Sequence, residues 1–231
     1  MTRLLLMLGL LLAASPTAHA QLATLLDSTT LSPAYFLDLG NREFEAGRTG
    51  HAILAYERGL RLRPGQRELA NNLAFVRGEA GLNEREPAGF FGLRWWRTAG
   101  AVIGATTAFV LAQVFWWLGV GLGLFWWVRR REMDEKRRFA LLPLAVTAVG
   151  LAALFFALGN GRNAYLRDRS EAILLVDDSE LRVAPDAASS LEDRLGAGVK
   201  LRIVDTFGNY TKVALPDGSQ GWLPNDRFAI I

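Results

Sequence analysis

The sequence predicts a multidomain membrane protein: an all-α helical unit, a two-helix transmembrane hairpin, and an all-β barrel. Three observations predict it. Apolar and small residues recur at three- and four-residue steps from Tyr35 onward, as in amphipathic helices. Two uncharged segments, 98–128 and 139–158, are long enough to cross ~30 Å of hydrocarbon. Short alternating runs bounded by turn residues fill 171–231.

Composition narrows the chemistry before any element is placed. The chain has 231 residues, 51% hydrophobic and 21% charged, so it is neither disordered nor a standard soluble globule. It has no cysteine, which excludes disulfides, zinc–thiolate sites, iron–sulfur clusters and cysteine nucleophiles. Its two histidines are His19, in a leader-like segment, and His51, read as an exposed surface residue; they do not make a metal site or a relay. No catalytic residue, cofactor or metal is therefore expected. The pI is about 9.6, but the basic excess concentrates at 129–138, with six basic and three acidic residues, and residues 159–231 carry nine and eleven. That distribution offers no basic face to a nucleic-acid backbone.

Residues 1–20 combine Arg3, the apolar run Leu4–Ala14 and Ala18-His19-Ala20, the pattern of a secretory signal peptide. An uncleaved anchor is the other reading. Export of Gln21 places the helical unit outside the cytoplasm.

The helical unit is expected over 21–90. Its first helix runs about Pro33–Ala46 and its second about His51–Arg61, with Gly47 and Gly50 as breaks and Pro64 as the stop. Phe36, Leu39, Gly40, Phe44, Gly47, Ala52, Tyr56 and Pro64 fall at the spacing of a 34-residue repeat, and the segment resembles a tetratricopeptide repeat, with a core over 33–66. Gly59 stands where that family usually has alanine. Gln66–Glu79 continues as a capping helix with Leu69, Leu73 and Val76 on one face. One and a half repeats are too few to stand alone, so the unit must lean on Gln21–Asp27, the membrane, a second copy or a partner. The resemblance puts Asn41 and Glu45 on the face that lines a peptide groove; plain exposed polar residues are the alternative.

The first span is expected over 98–128, bracketed by Trp95-Trp96 and Trp126-Trp127 as interfacial belts, with Trp116-Trp117 packing on the second span. The second is 139–158, followed by a polar exit at 159–170. Gly100/Gly104 and Gly119/Gly123 allow close helix approach. The basic loop 129–138 between the spans is expected in the cytoplasm, with both flanking domains extracytoplasmic.

In 171–231, strands are expected at Glu171–Val176, Leu181–Ala184, Lys200–Asp205, Tyr210–Leu215, Gln220–Leu223 and Phe228–Ile231. Leu181-Arg182, Pro185, Leu195, Gly198, Val213, Asp217-Gly218 and Gly221-Trp222 resemble a bacterial SH3-like barrel. Tyr210 takes a place often held by tryptophan, a candidate ligand-binding aromatic. Trp222 is expected first in the barrel core, with a ligand-facing role as the second reading. Such domains imply peptidoglycan or a proline-containing peptide as ligand. Asp177-Asp178 and Glu192-Asp193 read as surface acids.

The order leader, short repeat, two spans, SH3-like barrel resembles BatE-type proteins of the bacterial aerotolerance (Bat) operon, on YFLDLGN, GHAILAYERGLRLRP, NNLAFVR and Gly221-Trp222. The resemblance implies a multi-pass protein of the bacterial inner membrane. Its implied partners are membrane-anchored von Willebrand A-domain proteins and a MoxR-type AAA+ ATPase, in oxidative-stress tolerance or envelope integrity. It leaves two functional readings: a non-enzymatic adaptor acting through the repeat and the spans, or an envelope sensor acting through the barrel.

Overall fold

The structure, a computed structural model, describes residues 32–82 and 91–231. The leader and Gln21–Asp27 lie outside the described residues.

The helical unit has three helices. In α1 (Pro33–Glu45) the Ser32 hydroxyl caps the start by accepting from the Tyr35 N–H at 3.1 Å, and Pro33 occupies a first-turn position that needs no donor. Gly47, at φ +73°, turns the chain into α2 (Thr49–Leu62), and α3 (Arg67–Glu79) comes next. Small residues set the helix spacing: a Cβ on Gly40 would run into the Tyr56 ring, and one on Gly59 would stand 2.8 Å from Leu69. Gly59 thus leaves the Leu69 side chain room that an alanine would take up.

Gly50 does not break the chain. It lies inside α2, buried, where a Cβ would stand 2.6 Å from the carbonyl oxygen of Leu174 on the C-terminal sheet. Ile53, Tyr56, Leu69, Leu73 and Val76 form one buried cluster with Ile173 of that sheet. The surface that completes the short helical array is therefore the chain's own sheet.

The apolar segment 98–128 is not one helix. α4 (Phe91–Ile103) ends at Gly104, whose φ of +76° breaks the helix before α5 (Ala105–Arg129). The Trp95-Trp96 and Trp126-Trp127 pairs thus do not share one helix. After the loop, α6 (Glu135–Arg167) runs 33 residues, about 50 Å, so most of the expected polar exit is helical through Arg167. α5 and α6 pack along a small-residue seam of Ala108, Ala112 and Gly119 against Ala145, Ala148 and Ala152. A Cβ on Gly119 would stand 2.7 Å from Val149. Phe115 stacks on Phe155, with ring centroids 5.7 Å apart, filling the role expected of Trp116 and Trp117, which are 48% and 36% exposed. Only 17% and 22% of the most apolar stretches of α5 and α6 are buried, whereas a soluble core helix would be mostly covered. Both helices are long and apolar enough to cross a membrane.

The C-terminal region is an antiparallel sheet, not a closed barrel. Its strands are β1 (Glu171–Leu174), β2 (Ser179–Arg182), β3 (Leu191–Leu195), β4 (Lys200–Phe207), β5 (Tyr210–Ala214), β6 (Gln220–Pro224) and β7 (Phe228–Ile230). They lie in the order β3-β2-β6-β5-β4-β1-β7, so β3 and β7 are edges that do not pair with each other. Irregularities in register at Leu181/Arg182 and Ile203/Asp205 bend the sheet. Leu174, Leu181, Leu195, Leu201, Val213 and Leu223, from six strands, meet in one core on its inner face. The edge strand β3 escapes the sequence pattern because four of its five residues are exposed.

The three parts are joined by polar contacts as well as by the shared core. The Arg162 guanidinium of α6 donates to the carbonyl oxygens of Arg61 and Leu62 at 2.9 and 2.7 Å, satisfying the end of α2. Arg61 donates to the main-chain oxygens of Tyr165, Asp168 and Ile231, and Arg58 to that of Ile230. Glu57 of α2 pairs with Arg77 of α3 at 2.5 Å and faces Lys200 of β4 at 3.8 Å; Lys200 also pairs with Glu171 of β1 at 3.2 Å.

Candidate interaction surfaces

Two outward surfaces collect the residues singled out in the sequence. The first lies across α1 and α3. Asn41 is not an isolated groove residue: its Oδ1 accepts from the Tyr56 hydroxyl at 2.7 Å and from Asn72 Nδ2 at 2.9 Å, tying all three helices together. Burial pushes the Tyr56 hydroxyl above its ordinary pKa, so at neutral pH it is the protonated donor this bond requires. Beside this network, Phe44 and Phe75 meet edge to face, with centroids 5.7 Å apart, and Phe75 is 58% exposed. Glu45 is exposed at the end of α1 and makes no ion pair with the described residues. Two residues earlier, a hydrogen bond from Arg48 at 2.5 Å holds the Glu43 carboxyl below its usual range.

Asn72 and Phe75 are legible in the sequence. Asn41-Arg42-Glu43-Phe44 and Asn72-Leu73-Ala74-Phe75 share an Asn-x-x-Phe pattern, and the structure pairs asparagine with asparagine and phenylalanine with phenylalanine. A 34-residue repeat frame conceals this, because both pairs are 31 residues apart.

The second surface is the outer face of the sheet. Along β5, Thr211 and Val213 point into the core while Tyr210, Lys212 and Ala214 point away; along β6, Gly221 and Leu223 point in and Trp222 points out. Trp222 is therefore half-buried on the face opposite the core rather than part of it, and a Cβ on Gly221 would run into Leu181. Trp222 stands opposite Lys212 on one side and Arg182 on the other, and Tyr210 is opposite Pro224. Arg182 is already paired with Glu180 and donates to the Ser189 main-chain oxygen at 2.7 Å, so Lys212 is the cation that Trp222 offers beside a second aromatic, an arrangement suited to stacking on, and hydrogen bonding to, a polar ligand.

Asp177, Asp178, Glu192 and Asp193 are exposed, and the first two are tied to the sheet. Asp177 accepts from the Ala197 N–H at 2.7 Å, and Asp178 pairs with Arg194 at 3.0 Å. Among the described residues, no group of three or more histidine, aspartate and glutamate side chains is arranged to hold a metal.

Compared with protein-family models, with curated proteins and with solved structures, the chain matches none.

Proposed function

We propose that this chain is a non-enzymatic adaptor of a bacterial cytoplasmic membrane. α5 and α6 form its transmembrane hairpin, and the helical unit and sheet lie together on the extracytoplasmic side. The observation that carries this reading is the use of the two faces of the helical unit. Its α2 side is consumed by packing on Ile173 and Gly198 of the sheet. Its α1–α3 side presents Phe75, Phe44 and Glu45. An exposed aromatic beside an acid, on helices fixed to a membrane hairpin, is the arrangement a protein partner requires. A tetratricopeptide character for the helices and a distant SH3-like character for the sheet accord with it. So does the likeness to BatE-type proteins, which supplies the partners: von Willebrand A-domain membrane proteins and a MoxR-type ATPase.

A mild-detergent pull-down of the full chain, read by mass spectrometry, tests this. Recovery of von Willebrand A-domain proteins by the native chain, and their loss with Phe75→Asp, is the expected result. Point substitution is preferable to removal of the helices, which would strip the sheet of its covering. Recovery unchanged by Phe75→Asp and by Glu45→Lys contradicts the assignment of this face.

The row Arg182–Trp222–Lys212 with Tyr210 favours a second reading, an envelope sensor whose sheet binds wall material. Tyr210→Ala in the full chain then abolishes sedimentation with peptidoglycan while leaving the pull-down unchanged.

A further inference from the structure

Where α4 meets the end of α6, an open cleft of about 550 Å³ is lined by Trp96, Arg97, Gly161, Tyr165, Arg167 and Asp168. Its charge is one-sided. The guanidinium carbons of Arg97, Arg61 and Arg162 lie 4.7, 5.1 and 5.9 Å from the Tyr165 ring centroid. Arg162 gives its N–H groups to the carbonyls of Arg61 and Leu62, which carry no charge to offset its own. Arg97 and Arg167 form no ion pair with the described residues. The nearby Glu171 is already paired with Lys200; Asp168, the cleft's one carboxylate, accepts from the Ser170 N–H at 2.9 Å and is held below its usual pKa by that bond and by Arg61 and Arg97, so one carboxylate stands against four arginines.

The depth of this cleft is set by α6. Its apolar stretch ends at Leu158; Gly161 lies about 4.5 Å further along the axis, Tyr165 about 10 Å and Arg167 about 13 Å. Headgroups occupy roughly 5–8 Å beyond the hydrocarbon on each side, so the cleft begins inside that layer at Gly161, while the main chain at Tyr165 and Arg167 lies a few ångströms beyond it with side chains that lean back toward the helix N-terminus and the bilayer. The Trp96 indole lies against Gly161, where a Cβ would stand 2.8 Å from its Nε1. An indole at this level suits the interface, with an apolar ring and one N–H to donate.

We propose that this cleft binds the phosphate headgroup of an anionic phospholipid, with Arg97 and Arg167 as the cations and the Trp96 N–H and Tyr165 hydroxyl as neutral donors. The proposal rests on the membrane reading above and goes beyond it by assigning a lipid class to the extracytoplasmic end of the hairpin. Bound there, a lipid ties α4 to α6 beside the Arg162 junction and fixes the height of the helical unit above the bilayer.

The test uses the full chain in phosphatidylcholine nanodiscs containing a minor fraction of phosphatidylglycerol with a photoactivatable headgroup. Crosslinks are expected on segments 91–103 and 159–170. In Arg97→Gln/Arg167→Gln the apparent affinity for the probe at these segments should fall on the order of 30-fold, about tenfold or less per cation removed. Both arginines are exposed, and unchanged thermal unfolding of the variant establishes that it folds. Arg130→Gln/Arg131→Gln, in the basic loop, should leave those crosslinks in place. Equal crosslinking by the native chain and the Arg97/Arg167 variant overturns the proposal. So does equal labelling by a phosphatidylcholine probe, or competition by millimolar inorganic phosphate, which would make a free anion the ligand. A chain that stays in membranes through an alkaline carbonate wash yet shows no headgroup preference defeats this proposal alone; an extracted chain defeats the membrane reading with it.

Discussion

A methyl group at position 50 would stand 2.6 Å from the Leu174 oxygen and 2.8 Å from Leu175. Gly50→Ala must therefore push α2 away from β1, and we expect a loss of about 1–3 kcal/mol in denaturant unfolding. Gly65→Ala is its control: a Cβ there meets nothing within 4 Å, so the change should stay within about 0.5 kcal/mol. Tyr56→Phe removes the donor to Asn41 Oδ1 and should cost about 1 kcal/mol. It should also alter the alkaline limb of the stability curve. Burial raises the Tyr56 pKa in the folded chain above its unfolded value near 10, so this contribution is fully present below pH ~10. It is lost as pH rises through the folded value, and Tyr56→Phe should remove that loss. At this scale the sequence is partly readable. Gly40 opposite Tyr56 is expected from the repeat spacing, which requires a small residue at a helix crossing. Gly50 reads as a break because a glycine near a turn and a glycine against a strand look alike until the strand is in place. Asn41 reads as a groove residue because its partners, Tyr56 and Asn72, belong to other helices.

Arg162 acts at the scale of elements, since it ends one helix from another. Its two charge-assisted bonds close the last carbonyls of α2, and its own aliphatic stem packs against Gly100 of α4. Arg162→Met keeps the stem and removes the donors. Amides in the last turn of α2 should then exchange at least tenfold faster, as the loss of about 1.5 kcal/mol or more implies. Arg162→Lys should recover only part of the protection, because one ammonium is a poor match for two adjacent carbonyls. Unchanged exchange in Arg162→Met would mean that α2 is held by its core alone. The three helices of the N-terminal unit are legible to within a few residues because their amphipathic period marks both ends, whereas the uncharged run 139–158 stops nine residues short of the end of α6. The break at Gly104 is not: a glycine inside an uncharged run carries no mark of its φ. Strand β3 is invisible for the opposite reason, since an exposed edge strand has no apolar alternation to display. The sheet's failure to close is equally beyond reach, because closure depends on whether β3 and β7 meet and not on either sequence.

For the whole molecule, the contact of α2 with β1 constrains topology. The helical unit precedes the hairpin and the sheet comes after it, so their shared core exists only if the chain returns to the side it left. The antiparallel packing of α5 on α6 provides that return, and Arg162 and Arg61 bind the three parts where they converge. Domain order is readable from composition alone, whereas the joining of the outer domains is not, because Ile53 is 120 or more residues from its partners Ile173 and Gly198, the first of which looks like an ordinary core residue and the second like a turn glycine. The absence of native cysteine permits a direct measurement of which side of the membrane each part occupies. Single cysteines at exposed Glu68 in α3, Asp226 beyond β6 and Lys136 at the start of α6 would be treated, in intact cells, with a membrane-impermeant maleimide. Labelling of Glu68→Cys and Asp226→Cys from outside, and of Lys136→Cys only after the membrane is opened, is the expected result. Labelling of Glu68→Cys and Asp226→Cys from opposite sides would contradict it, since no α2–β1 core could then form.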